Sequence, residues 1–214
     1  MYTYVEDKEF LKEAQSVCSG LVREIEVELR ETKEINSQMF LVGSGGRNMI
    51  TQNGNEGIDF DYNLNILSCP DWKDTRGIKE AVRQCFNTIM RNHRLPDVED
   101  SRSSLTSKPI SFTKGNQTSF HIDLAIVTED EGCWHRLIHE KTGLSYYDRW
   151  IWNKAPHSEK IREKADKIKK AGKWLAVRER YLEKKNYYLR RNDHDHPSFV
   201  CYIETVNEIY QTLR

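Results

Sequence analysis

Three aspartates set among large apolar residues are the side chains of this sequence whose type and spacing could do chemistry. Two of them, Asp59 and Asp61, alternate with apolar residues in IDFDYNLNIL, residues 58 to 67. Successive side chains of a strand point to opposite faces, so residues i and i+2 share one. Asp59 and Asp61 are therefore expected side by side, with Asn63 and Asn65 continuing their face. Two like charges that close resist joint ionisation unless a cation neutralises them. Mg²⁺ takes oxygen ligands, typically one or two carboxylates plus waters and substrate phosphates. The pair is thus a candidate seat for Mg²⁺ or Mn²⁺. A two-metal phosphoryl-transfer site usually needs a further carboxylate from another element, and Asp123 in FHIDLAIV (120–127) is a lone acid in the same kind of apolar setting. Asp59, Asp61 and Asp123 form the candidate catalytic and metal-binding set. Singly, each has a plainer reading as a solvent-facing strand residue. Strands disfavour aspartate, however, and the ordered triple weighs the other way.

Upstream, the apolar run QMFLV ends in Gly43-Ser44-Gly45-Gly46-Arg47. A strand that enters such a turn and continues into a short helix, expected over RNMITQ (47–52), offers backbone N–H groups to phosphate oxygens. Gly43, Ser44, Gly45 and Arg47 are the candidate nucleotide-binding residues of this turn. No Gly-Lys-Ser/Thr follows, so it is not a Walker A loop. Nor is it the dinucleotide fingerprint, because Gly43, Gly45 and Asn48 fall at its three glycine positions.

The elements that must position these groups follow from periodicity. Phe10, Ala14, Val17, Leu21, Ile25 and Leu29 recur in steps of three and four, which predicts a helix from Asp7 to about Lys33. A buried strand is expected over 38–44, the alternating strand over 57–67 and a second helix over 72–92. KPISFTKGNQTSFHIDLAIV (108–127) reads as a hairpin turning at Lys114-Gly115-Asn116. Strand signals stop near residue 130, and helical periodicity takes over at 157–171, 173–191 and 198–213. Mixed α/β followed by helix predicts two regions, 1–130 carrying the carboxylates and 131–214 helical.

The ordered set Val42-Gly43-Ser44, Asp59-Phe60-Asp61-Tyr62 and Asp123 resembles the signature of the DNA polymerase β-type nucleotidyltransferase superfamily, over residues 38 to 127. That resemblance implies an α/β (α+β) fold, a nucleotidyltransferase-like mixed sheet with flanking helices, plus a C-terminal helical lobe. It also implies a nucleoside triphosphate donor held by Gly43 and Ser44. Two Mg²⁺ would sit on Asp59 and Asp61, and Asp123 would complete the metal site beside the acceptor hydroxyl. Attack on the α-phosphate then releases pyrophosphate. The acceptor stays open among a small molecule, a protein, a second nucleotide and an RNA end. Lys160, Lys164 and Lys173 are candidates to reach the triphosphate from the helical part.

Composition sets the frame. The 214 residues carry 33 basic and 33 acidic side chains, with mean hydropathy −0.77 and no segment of membrane-spanning character. The opening residues lack a secretory pattern, so a cytoplasmic protein is expected. Five scattered cysteines without a C-x-x-C indicate neither a disulfide framework nor a zinc knuckle. Residues 154–191 hold 14 Lys/Arg against 5 Asp/Glu, which favours an anionic partner there or simply a solvated helix face.

Cys133, His135 and His139, read as part of a helix, could seat zinc, although packing is the plainer reading. YYDRWIW (146–152) offers rings for base stacking or for a core. Two other functions stand beside transfer. One is a nucleotide-binding regulatory or antitoxin-like module without turnover. The other rests on Arg191-Asn192 and His196, which resemble the Arg-(four to six residues)-His motif of HEPN ribonucleases, although a turn between helices is the better reading.

Overall fold

The computed structural model describes residues 1–154, 159–193 and 197–213. In chain order its elements are β1 (Tyr2–Tyr4), α1 (Lys8–Lys33), β2 (Asn36–Leu41), α2 (Gly43–Gly46), β3 (Thr51–Asn53), β4 (Ile58–Ser68), α3 (Thr75–Asn92), β5 (Glu99–Asp100) and β6 (Leu105–Thr106). These are followed by β7 (Phe120–Asp130), β8 (Cys133–Glu140), β9 (Arg149–Lys154), α4 (Glu159–Lys170), α5 (Trp174–Arg190) and α6 (Ser198–Gln211). The fold is mixed α/β, a central sheet with flanking helices and a C-terminal helical region. The chain divides into two compact units, a larger one of residues 6–48 and 57–155 and a smaller one of residues 1–5, 49–56 and 156–214.

The larger unit is built on a seven-stranded sheet in which β2, β4, β7, β6 and β5 are successive neighbours and β8 joins β7 to β9. β4 and β7 run parallel at its centre, with Ile58 opposite Phe120 and Leu64 opposite Ile126. Their alternation sorts the side chains as the sequence requires. Ile58, Phe60, Tyr62, Leu64, Phe120, Ile122, Leu124 and Ile126 are all buried. α1 packs on that face, its Phe10 ring edge-on to Phe120 and its Ser19 hydroxyl 2.9 Å from that of Tyr62. α1 begins where Asp7 accepts a hydrogen bond from the Phe10 N–H, and α3 begins in the same way at Asp74 and Gly77. A Cβ at Gly77 would lie 2.0 Å from the capping carboxylate, which would then have to turn away from the cap.

The structure corrects four local expectations. First, strand structure does not stop at 130: β7 turns into β8 through Glu131 and Gly132, both left-handed (φ 48° and 74°), a two-residue hairpin turn of the type usually written Asn-Gly. β8 and β9 then extend the sheet to Lys154, so the expected boundary at 130/131 falls within a hairpin. Second, RNMITQ is not helical. α2 is the single turn Gly43–Gly46, ended by Asn48 in the left-handed region (φ 61°), and Thr51–Asn53 form β3. Third, only Ile110 of the expected first hairpin strand bridges to β7, at Phe120, and Pro109 beside it has no N–H to give a ladder. The antiparallel partner there is β6. Fourth, His135 and His139 lie on β8. His139 is buried, its Nδ1 2.8 Å from Asp100 and its Nε2 3.0 Å from Asp148, with Trp150 stacked on its ring. That is packing, not zinc ligation.

In the smaller unit β1 pairs with β3. α4, α5 and α6 enclose Ile161, Ala165, Ile168, Val177, Tyr181, Cys201, Tyr202 and Val206, with Met49 among them. The side-chain amide of Asn186 accepts from the Tyr2 N–H (2.7 Å) and donates to the Tyr2 carbonyl, tying α5 to β1. Among the described residues no helix is long and apolar enough to cross a membrane.

Candidate active site

Asp61 and Asp123 are direct partners in the parallel register of β4 and β7, and Asp59 stands opposite His121 one row away. All three carboxylates belong to the sheet face that does not carry the phenylalanine core. Asp59 is exposed, while Asp61 and Asp123 are half-buried. The Thr106 hydroxyl on β6 donates to Asp123 Oδ1, which fixes that carboxylate from the side away from β4.

The glycine turn reaches the same place. Val42 N–H donates to the Asp61 carbonyl (2.8 Å), which sets α2 against β4. Gly43 has φ +60°, and a Cβ on it would sit 1.9 Å from Asp61 Oδ2. Only glycine allows this backbone to lie on the carboxylate. The Ser44 N–H then donates to that carboxylate.

Burial, and after it the neighbouring charges of Asp123 and Asp59, push the Asp61 carboxyl up to about 6; Arg47 and the Ser44 N–H pull against this. The charges of Asp123 and Asp59 oppose ionisation of Asp61, and a cation would relieve that opposition. Their donor atoms are all oxygens, the preference of Mg²⁺ and Mn²⁺. Among the described residues no three His, Cys, Asp or Glu side chains are grouped closely enough to hold a metal by themselves.

Two contributors were not foreseen from sequence. Thr106 belongs to a two-residue strand that carries no pattern. Arg136 pairs with Val127 on β8, which puts it on the carboxylate face. Burial lowers its guanidinium pKa, and the field of Asp61 opposes that. Alternation in Trp134, Arg136 and Ile138 against His135, Leu137 and His139 was the signal that could have found it.

Gly43, Ser44, Gly45, Arg47, Asp59, Asp61 and Asp123 are thus all residues of the larger unit, converging from α2, β4 and β7. Lys160, Lys164 and Lys173 belong to the smaller unit. There Lys164 donates to Asn207 (2.5 Å), Lys173 to the Thr212 carbonyl (3.4 Å), and Lys160 is exposed. Arg191 donates to the Tyr187 hydroxyl (2.7 Å) and lies over its ring. His196 is outside the described residues.

No protein-family model matches the chain, and no curated protein matches it in sequence. Solved structures do match. CdnC of Escherichia coli MS115-1, solved with ATP, aligns with TM-score 0.57 at 14% identity over 94% of this chain and 61% of its own. DncV of Vibrio cholerae, a cyclic AMP-GMP synthase in complex with the linear intermediate pppA(3′,5′)pG, aligns with TM-score 0.56 at 12% identity over 94% of this chain and 63% of its own. The chain shares its fold with both. A further match of that kind is CdnE of Elizabethkingia meningoseptica, solved with GTP and Apcpp, with TM-score 0.53 at 14% identity over 89% of this chain and 68% of its own. At such identities the likeness is one of fold, and the chain spans about three fifths of the length of CdnC and DncV.

Proposed function

We propose that the chain is a metal-dependent nucleotidyltransferase that moves a nucleoside monophosphate from an NTP to an acceptor hydroxyl and releases pyrophosphate. The observation that carries this reading is the register of β4 and β7, which puts Asp61 beside Asp123 with Asp59 on the same face. The fold shared with synthases solved with ATP, GTP and a linear dinucleotide intermediate supports it.

Asp59, Asp61 and Asp123 would hold Mg²⁺ or Mn²⁺, which supplies neutralisation of the charge on the triphosphate and on the leaving pyrophosphate. The chain's own residues do the rest. The Ser44 N–H is engaged by Asp61, so the groups that can meet a triphosphate at this turn are the Ser44 hydroxyl, the Gly45 N–H and the Arg47 guanidinium. Gly43, with no Cβ, lets the glycine turn lie against the Asp61 carboxylate, and the Thr106 hydroxyl holds Asp123 from the opposite side. Asp123 takes the proton as the acceptor oxygen bonds to the α-phosphorus, and the bond from that phosphorus to the bridging oxygen breaks. Catalysis of this kind is mostly positioning and charge stabilisation.

The test is calorimetric binding of ATP, GTP, CTP and UTP with and without Mg²⁺, on the wild type and on Asp59→Ala/Asp61→Ala. Mg²⁺-dependent binding lost in the double variant supports the reading. Binding that is independent of both the metal and the two carboxylates refutes it.

A further inference from the structure

The fold divides the aromatic run YYDRWIW (146–152) in two. Trp150 stacks on the His139 ring, with centroids 4.3 Å apart, and Trp152 lies against Trp72 (6.2 Å). Tyr146 and Tyr147 stand instead in the turn between β8 and β9, a single turn of 3₁₀ helix over Ser145–Tyr147, where they are 89% and 61% exposed. Leu144 beside them is 65% exposed. Scattered apolar side chains are ordinary on a surface, but three gathered at one hairpin tip form a patch.

The tip is held in shape from beneath. Asp148 accepts from the Thr142 N–H (2.8 Å) through one oxygen and meets His139 Nε2 (3.0 Å) with the other. The second ring nitrogen of His139 meets Asp100 on β5 (2.8 Å), and Asp100 is paired with the buried Lys79 of α3 (2.6 Å). Within the turn Gly143 takes φ +86°, and the Leu144 carbonyl accepts from the Thr142 hydroxyl (2.9 Å) and the Tyr147 N–H (2.8 Å). These contacts fix a segment whose own residues, 141–147, are all exposed. A patch on a fixed backbone loses little conformational entropy when it is covered. The carboxylates at this end are engaged: Asp74 caps α3, Asp100 and Asp148 hold the tip, and Glu140 lies 3.8 Å from Arg102. Among the described residues Arg76, Lys141 and Arg149 have no carboxylate at ion-pair distance. Arg76 lies over the Trp150 ring (4.8 Å), Lys141 donates to the Asp100 carbonyl, and Arg149 is exposed at the start of β9.

We propose that the β8–β9 tip is a peripheral membrane contact: Leu144, Tyr146 and Tyr147 enter the interface of an anionic lipid surface, and Lys141 and Arg149 meet its headgroups, with Arg76 adding to their charge. Tyrosine suits that depth, having an apolar ring and a wet hydroxyl. Cations beside an anionic leaflet add to the apolar attraction, which a single small tip needs. The contact lies in the interface and spans nothing. Other occupants fit this surface less well. A second copy would need roughly 800 Å² from each partner, and the tip offers on the order of 400 Å². Single-stranded nucleic acid needs ring faces on which successive bases stack, whereas the Tyr146 and Tyr147 rings are edge-on to each other (85°).

The test is flotation of the full chain with vesicles of phosphatidylcholine alone and of phosphatidylcholine mixed with phosphatidylserine. Three cations near an anionic surface predict binding on the order of a hundredfold tighter to the mixed vesicles, weakened by added salt. Leu144→Ser and Tyr146→Ser should each weaken it about tenfold and Arg149→Gln about fivefold. All three side chains are exposed, so the urea midpoints of these variants should stay at the wild-type value. Tyr146→Trp should keep the binding and show quenching by brominated acyl chains beyond that of the wild type. The membrane assignment falls if neither vesicle is bound, if the two are bound alike, or if the tip variants bind as the wild type does. It falls also if, without vesicle binding, Tyr146→Ser abolishes a dimer seen by sedimentation equilibrium or the binding of a single-stranded oligonucleotide.

Discussion

Gly43→Ala should damage the site through one contact whose size can be worked out. The position has φ +60°, where an L-residue costs about 1–2 kcal/mol. The new Cβ would also meet Asp61 Oδ2 at 1.9 Å, its Cγ at 2.6 Å and its Cβ at 2.9 Å, so the carboxylate must turn away. Turning it away breaks the hydrogen bond from the Ser44 N–H, and a bond to a charged group is worth about 1.5–3 kcal/mol. The total is about 2.5–5 kcal/mol. Gly115→Ala is the matched control, since Gly115 has φ +75° with nothing within 4 Å and should cost only the backbone share. Gly43→Ala placed on Asp61→Ala should cost less than in the wild type, because the carboxylate atoms at 1.9 and 2.6 Å are gone and only the Cβ contact at 2.9 Å remains. Urea unfolding followed by tryptophan fluorescence gives all four free energies. Four of the five tryptophans, Trp72, Trp134, Trp150 and Trp152, lie in the larger unit and report on it. The reasoning is refuted if Gly43→Ala costs no more than Gly115→Ala, or costs the same with and without Asp61.

Asp61 also predicts a pH dependence. Its pKa in the folded chain, about 6, lies above the ordinary value of 3.8, so the native state binds this proton more tightly than the unfolded state. Its contribution is therefore most favourable below about pH 4 and declines as pH rises through about 6. The full shift corresponds to about 3 kcal/mol, less to the extent that solvent reaches the carboxylate. Asp61→Asn should flatten that decline in urea melts taken from pH 4 to 8, and millimolar Mg²⁺ should stabilise the wild type but not this variant above pH 6. His139→Leu strips Asp100 and Asp148 of a shared hydrogen-bonding partner and should lower the urea midpoint. Ile168→Ala in the fully buried centre of the smaller unit should cost about 2–5 kcal/mol by the same assay. Arg191→Ala should leave NTP binding at the wild-type value; a ribonuclease activity lost in that variant would instead favour the HEPN-like alternative.

The central strands and both long helices of the larger unit were legible because burial on one face forces a period, two for β4 and β7 and nearly four for α1 and α3. The three aspartates were legible for the same reason, each a charge on the polar side of an alternating strand. β8 and β9 were not. Their charged and aromatic residues are spread over both faces, and Glu131-Gly132 makes a hairpin turn from a residue that seldom takes a positive φ. The glycine turn was located correctly but for another reason than expected. RNMITQ forms no helix, and Gly43 serves close approach to Asp61, a tertiary contact that local sequence does not encode. Thr106 was invisible because its relevance depends on which strands are neighbours, and for Arg136 the only signal was the alternation of residues 134 to 139.

A crystal structure of the chain with an uncleavable NTP analogue and Mn²⁺, whose anomalous scattering locates the metal, tests the central claim most directly. The account predicts a metal peak against the carboxylate oxygens of Asp59 and Asp61, with the triphosphate over Ser44 and Gly45. A peak elsewhere, or a nucleotide bound away from these strands, would contradict it.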